Sequence, residues 1–181
     1  GNALMDFWCA RHTGQAFDHA GAWAAQGHVN QALLAQLMTE EFLQRLPPKS
    51  TGRDLFNPAW LEQHMAELAG SNGYAPQDVQ ATLTEFTALT CASDVLRHAA
   101  GAASLVVCGG GALNNHLMAR LAHHLPGMAV VSSADRGLPP LQVEAAAFAW
   151  LAFKNLQRET ASLQSVTGAR GARVLGAVYP R

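Results

Sequence analysis

Between residues 104 and 132 the hydrophobic pattern switches twice, and that switch decides the architecture. Ser104-Leu-Val-Val-Cys108 is a short continuous apolar run, rich in β-branched residues and stopped by Gly109, Gly110 and Gly111. Such a run reads as a strand buried on both faces, as in a parallel sheet. The spacing then predicts a helix over 114–125, with Leu117, Met118, Leu121 and Leu125 on one face, ended by Pro126-Gly127. A second apolar run, Met128 to Ser132, follows at once. Strand, helix and strand in this order form a β-α-β unit with parallel strands, because the helix carries the chain back to its starting edge. The class is therefore α/β.

The rest of the chain makes it helix-rich. Leu4, Met5, Trp8 and Cys9 recur at helical spacing after Asn2, a suitable N-cap, so the chain is expected to open directly into a helix with no preceding strand or turn. Gln31 to Leu46 predicts a second helix, closed by Pro47-Pro48. Pro58 fits the first turn of a helix running to Leu68, before the turn-forming Gly70-Ser71-Asn72-Gly73. The longest helix has Pro76 in its first turn, Asp78 at its positive end and a face of Val79, Leu83, Phe86, Thr90, Ser93 and Arg97, ending near Gly101. A last long helix spans 141–157, ahead of a loop with Thr167-Gly168 and a short terminal strand around Val174 to Val178. There is no internal repeat and no low-complexity linker.

Composition narrows the functions. A chain of 181 residues that is 49% hydrophobic and 14% charged supports a packed core. Its net charge of −1 removes the broad basic surface that nucleic acid or an anionic membrane requires. The most apolar stretch, Ala145 to Phe153, lies beside Glu144 and Lys154 and falls short of a membrane span, so a soluble protein is expected. GNALMDFW has an acid where a signal peptide has its basic region. Cys9, Cys91 and Cys108 are odd in number, far apart and set among apolar residues, which points to buried reduced thiols in a cytoplasm.

Three segments offer chemistry. In VVCGGGALNN (106–115) the glycines let a backbone approach a ligand, and the helix behind them presents free N–H groups to a phosphate; a tight structural turn is the alternative. In PPKSTGRDLFN (47–57), Lys49 and Arg53 bracket two hydroxyls and suit phosphate or sugar oxygens, or else form a solvated basic turn. In QVEAAAFAWLA (142–152), Glu144 is the only acid in an apolar helix: either it meets a ligand, or it complements the helix dipole from an exposed first turn. His12, His19, His28, His98 and the pair His123-His124 show no metal spacing and read as surface or satisfied interior residues. Trp8, Trp23, Trp60 and Trp150 read as core. Asp6 and Asp18 lie within reach of a site near the amino terminus, and neither is assigned a role.

Taken in order, GNALMD, PPKSTGRDLFN, VVCGGGALNN, VEAAAFAWLA, VTGA and VLGAVYP resemble the carboxy-terminal half of the bacterial anhydro-N-acetylmuramic acid kinases, over essentially the whole chain. The resemblance implies a ribonuclease-H-like domain of the actin, Hsp70 and sugar-kinase superfamily, residues 1–181 forming the carboxy-terminal half of a two-domain enzyme. It implies ATP and Mg²⁺ as cofactors, and an anhydro amino sugar whose internal 1,6-anhydro bond is hydrolysed while O6 is phosphorylated for cell-wall recycling. Gly109, Gly110, Gly111 and Asn114 look like the turn that contacts ATP, and Gly1 and Asn2 resemble the end of the family's D-T-G-P-G-N phosphate loop. Glu144 looks like the glutamate that reaches the sugar, while Lys49 and Arg53 match a loop at the cleft edge. The family's catalytic aspartate would precede Gly1, so no catalytic residue is assigned in this chain and the chain alone is expected to be silent. The missing amino-terminal domain and a second copy, in a homodimer, are the expected partners. A helical scaffold domain, or another sugar kinase of the same superfamily, is the alternative reading.

Overall fold

A computed structural model of the chain describes residues 2–68 and 73–179. Helix α1 (Asn2–Thr13) buries Leu4, Met5, Trp8 and Cys9, the four residues that its spacing singled out. It is followed by short 3-10 turns, and then by α2 (Gln31–Leu37), α3 (Pro58–Glu67) and α4 (Pro76–Ala99). Asn57 caps α3, its side chain accepting from the Trp60 amide, and Pro58 takes the first position, where its missing N–H costs nothing.

Helix α4 is the axis of the molecule. Every residue from Val79 to Ala88 is buried, so α4 is covered all round, with α1, α2 and α5 (Asn115–His124) packed on it. Polar residues survive there because their hydroxyls bond back along the helix: Thr82 to the Asp78 carbonyl (2.7 Å), Thr84 to Gln80 (2.9 Å) and Thr87 to Leu83 (2.9 Å). Both large indoles of the core also find partners, Trp8 Nε1 at the Pro76 carbonyl (2.7 Å) and Trp60 Nε1 at Glu40 Oε2 (2.9 Å).

The β-α-β unit forms as its pattern requires. β1 (Ser104–Val107) and β2 (Ala129–Ser132) pair in parallel, Ser104 opposite Ala129 and Val107 opposite Ser132, with α5 as the crossover. Leu105, Val107 and Val130 pack into the core, whereas Val106 points to the other face and is 43% exposed. Among the described residues this is the whole sheet. The result is a helix-rich α/β fold with a small parallel sheet.

Several expectations need correction. The helix expected over Gln31 to Leu46 ends at Leu37, and a separate 3-10 turn covers Glu41–Gln44. Glu40 causes the break: its carboxylate accepts from the Phe42 amide and from Trp60, which draws the chain off the helix axis. No strand forms at Val174 to Val178. That segment has no neighbouring strand among the described residues and turns back along α6 (Val143–Leu156), where Asn155 Nδ2 donates to the Leu175 carbonyl (2.7 Å). A short helix, α7 (Gln164–Thr167), stands where a loop was expected. Only Cys9 is a buried thiol, Cys91 and Cys108 being exposed. Trp150 is 51% exposed rather than core. The turn at Gly70-Ser71-Asn72 lies outside the described residues, as does Gly1. Among the described residues, no helix is long and apolar enough to cross a membrane.

Candidate functional site

Two segments far apart in sequence meet at the end of β1. Gly109 has φ 70° and ψ −167°, a region that essentially only glycine occupies. Its N–H donates to the Pro140 carbonyl (2.9 Å), which fastens the glycine turn to the segment leading into α6. One 3-10 turn, Gly110–Leu113, then delivers Asn114 to the start of α5, where its Oδ1 caps the helix by accepting from the Leu117 amide (2.9 Å).

Asn2, in the first turn of α1, lies against this turn. A Cβ on Gly110 would sit 3.2 Å from Asn2 Nδ2, and one on Gly111 would sit 3.5 Å from Asn2 Oδ1 and 3.4 Å from Leu117 Cδ2. At Gly110 the missing Cβ is what leaves room for the Asn2 side chain, whereas a Cβ on Gly111 would make ordinary contact. From the opposite side comes the loop 17–21. Asp18 is buried because its two carboxylate oxygens accept the Trp23 and Ala24 amides, each at 2.9 Å. Ala20 and Gly21 both adopt left-handed conformations, φ 56° and 71°, and Gly21 passes so close to α5 that a Cβ there would lie 2.1 Å from Asn114 Oδ1.

Together these segments enclose a cavity of about 340 Å³. α1 contributes Asn2, Met5 and Asp6; the loop contributes Phe17, Asp18, His19 and Ala20; the glycine turn contributes Gly110, Leu113 and Asn114; Leu141 closes the side nearest α6. Burial pushes the Asp6 carboxyl above its ordinary value, and the positive charge of Arg53 partly offsets this. Burial, helped by the nearby Arg120 cation, holds the His116 imidazole below its ordinary value. The chemistry on offer is a helix N-terminus and glycine backbone for an anion, apolar walls at Met5, Phe17, Leu113 and Leu141 for a flat apolar group, and one acid, Asp6, not taken up by a capping role.

Of the residues singled out from sequence, Asn2, Gly110 and Asn114 meet at this cavity, with Gly109 and Gly111 in the same turn. Gly1, the neighbour of Asn2, lies outside the described residues. Arg53 is exposed and within electrostatic reach of Asp6. Lys49 goes elsewhere: its ammonium pairs with Asp94 of α4 (3.0 Å), donates to the Leu43 carbonyl (3.3 Å) and lies over the Phe42 ring (5.2 Å), leaving the side chain 11% exposed. Glu144 stands exposed in the first turn of α6, three residues after Leu141 at the cavity wall. Phe17, Ala20 and Leu141 carry no local sequence signal for a site, and Asp6 and Asp18 have only their place near helix ends.

The family profile described as anhydro-N-acetylmuramic acid kinase matches residues 1–181. Curated relatives carrying that name include one from Variovorax paradoxus, 63% identical over 99% of this chain and 47% of its own length. Another from Albidiferax ferrireducens is 58% identical over 99% of this chain and 46% of its own length. A third, from Chromobacterium violaceum, is 51% identical over 100% of this chain and 49% of its own length. The chain spans about half the length of the curated relatives it matches. With a profile matched from end to end and identities above half, the chain belongs to the anhydro-N-acetylmuramic acid kinase family.

Proposed function

We propose that this chain is the nucleotide-binding, carboxy-terminal half of a kinase that opens the 1,6-anhydro bond of 1,6-anhydro-N-acetylmuramic acid with water and transfers the γ-phosphoryl of ATP to O6. Family membership supports the reaction, and one observation carries the nucleotide site: the Asn2 side chain lies on Gly110 and Gly111 at a cavity beside the N-terminus of α5. Backbone amides and a helix dipole receive phosphates there, and the apolar walls take the base. Gly1 joins Asn2 in this role. The ribonuclease-H-like superfamily, a cytoplasmic location and a homodimer are parts of the same reading.

On the sugar side, Glu144 and Arg53 reach the cleft from the rim. Lys49 can touch a ligand only by giving up Asp94, so its contribution is to fix the loop that carries Arg53. Mg²⁺ arrives with the phosphates of ATP. Asp18 is a poor ligand for it, both oxygens being committed to backbone amides, which leaves Asp6 as the carboxylate on this cavity suited to the ion. The acid that activates water belongs to the segment before Gly1, so residues 1–181 on their own do not turn over.

The test uses the full-length protein with ATP, Mg²⁺ and the anhydro sugar. The expected products are ADP and the 6-phosphorylated, ring-opened sugar. Gly110→Val, which drives a branched side chain into Asn2, is expected to raise KM for ATP roughly tenfold or more, a loss of about 1.4 kcal/mol of binding. Glu144→Ala is expected to abolish turnover while leaving ATP affinity in place. A wild-type protein that ignores the sugar overturns the reaction, and an unchanged KM for ATP in Gly110→Val removes the nucleotide from the glycine turn.

A further inference from the structure

Helix α6 is strongly apolar and almost bare. From Val143 to Leu156 its only buried residue is Asn155, while Phe148 is 64% exposed, Trp150 51%, Phe153 55% and Leu156 69%. At 3.6 residues per turn these four side chains spread over more than half the helix circumference, so they form no narrow amphipathic stripe. A helix apolar round most of its girth is an interior helix. Yet the main core contains no residue of α6. Its charged residues, Glu144 and Lys154, stand near its two ends and leave the stretch between them uncharged. An apolar groove of about 440 Å³ runs between α6 and the returning segment, lined by Phe148, Leu151, Leu156, Leu175 and Val178. The sheet shows the same deficit, since Val106 is exposed on a face that a parallel sheet ordinarily keeps covered.

The relatives indicate what is missing. Each matches this chain over 99–100% of its length, yet is about twice as long, so each carries an equal length of polypeptide that this chain does not match. An uncharged, aromatic-rich face of this kind resembles a domain core cut in two rather than a surface for transient contacts. A covalently attached half meets it at high effective concentration. We propose that the α6 face, with its groove to Leu175 and Val178, is the seat of that other half of the polypeptide: an interior surface of the full-length protein. A second copy or open solvent are the competing occupants.

Hydroxyl-radical footprinting of the wild-type full-length protein tests it, with Phe148, Trp150 and Phe153 resolved by peptide mass spectrometry. The rates are compared with those of the denatured protein, at concentrations above and below any self-association found by sedimentation. The expected result is oxidation roughly tenfold slower than in the denatured chain, as for rings taken fully into a core, at every concentration. Protection that disappears when the protein becomes monomeric overturns the proposal in favour of a second copy. Rates within about twofold of those of the denatured chain, as rings 51–64% exposed would give, overturn it in favour of a free face. Because no nucleotide or sugar is present, failure here leaves the kinase reading standing, and failure of the kinase reading leaves this result unchanged.

Discussion

Gly21 sets how closely the loop 17–21 can approach α5. Its φ of 71° is left-handed, and the Cβ that alanine would add meets Asn114 Oδ1 at 2.1 Å and His116 Cβ at 2.7 Å. A left-handed alanine costs about 1–2 kcal/mol, and displacing Asn114 from its cap costs about 1 kcal/mol more. Gly21→Ala is therefore expected to destabilise the junction of loop and helix by about 2–3 kcal/mol. Hydrogen exchange of the first turn of α5 in the full-length protein reads this directly, since those amides lose their cap. Exchange unchanged from wild type would mean that the loop relaxes without disturbing Asn114. Asn114→Ala offers the milder comparison, about 1 kcal/mol, because it removes the cap and leaves the loop in place.

At the scale of elements, α5 is held to α4 by a partly buried ionic cluster. Glu85, 6% exposed, accepts from Arg120 Nε (2.6 Å) and Nη2 (2.9 Å), and its Oε1 lies 2.8 Å from His124 Nε2. Burial alone would raise the Glu85 carboxyl, but the hydrogen bonds and charges of Arg120 and His124 outweigh it and hold the group below its ordinary 4.5. A depressed carboxyl contributes stability that is present above 4.5 and is lost as pH falls through the lower folded value. His116 adds to the same trend: its folded value lies below 6.5, so the unfolded chain takes up its proton first and stability declines as pH drops under 6.5. The α4–α5 junction is thus expected to weaken progressively with acid, measured as faster α5 amide exchange after correction for intrinsic rates. Stability that rises on acidification would refute it. Glu85→Gln is expected to cost about 3 kcal/mol, the low end for breaking a buried pair, because the Arg120 side chain is 29% exposed and can rehydrate. Elements such as these were legible where the signal is local: Pro58 starting α3, Pro76 starting α4, the glycines stopping β1. The end of α2 and the path of 174–178 were not, because Glu40 meeting Trp60 and Asn155 meeting Leu175 are contacts across 20 residues that no window of sequence reveals. The site divides in the same way. The glycine turn and Asn114 carry a motif, whereas Asp6, Phe17 and Ala20 reach the cavity only because α1 and its following loop fold onto that turn.

The molecule as a whole has one finished core and one unfinished side. The well-packed part, from α1 to β2, carries the glycine turn; the part from α6 onward carries Glu144 at its start and exposes the apolar surface proposed above as the seat of the other half. Phosphoryl transfer depends on positioning and on exclusion of water, so on the proposed reading the two requirements are linked: a half seated on the α6 face would also set where Glu144 stands relative to the nucleotide. On its own, the 181-residue chain is expected to give no sugar-dependent ADP release. Co-expression with the remaining half as a separate polypeptide is expected to restore turnover, because the apolar face supplies association without a covalent link. In that split form, a chain carrying both Phe148→Asp and Phe153→Asp is expected to lose turnover, since two carboxylates would have to be desolvated in the interface. The covalently joined protein with the same pair should retain part of its turnover, its halves being held at high effective concentration. Equal activity of the split wild type and the split double variant would show that the halves meet elsewhere, and turnover by the isolated chain would show that residues 1–181 already contain the group that activates water.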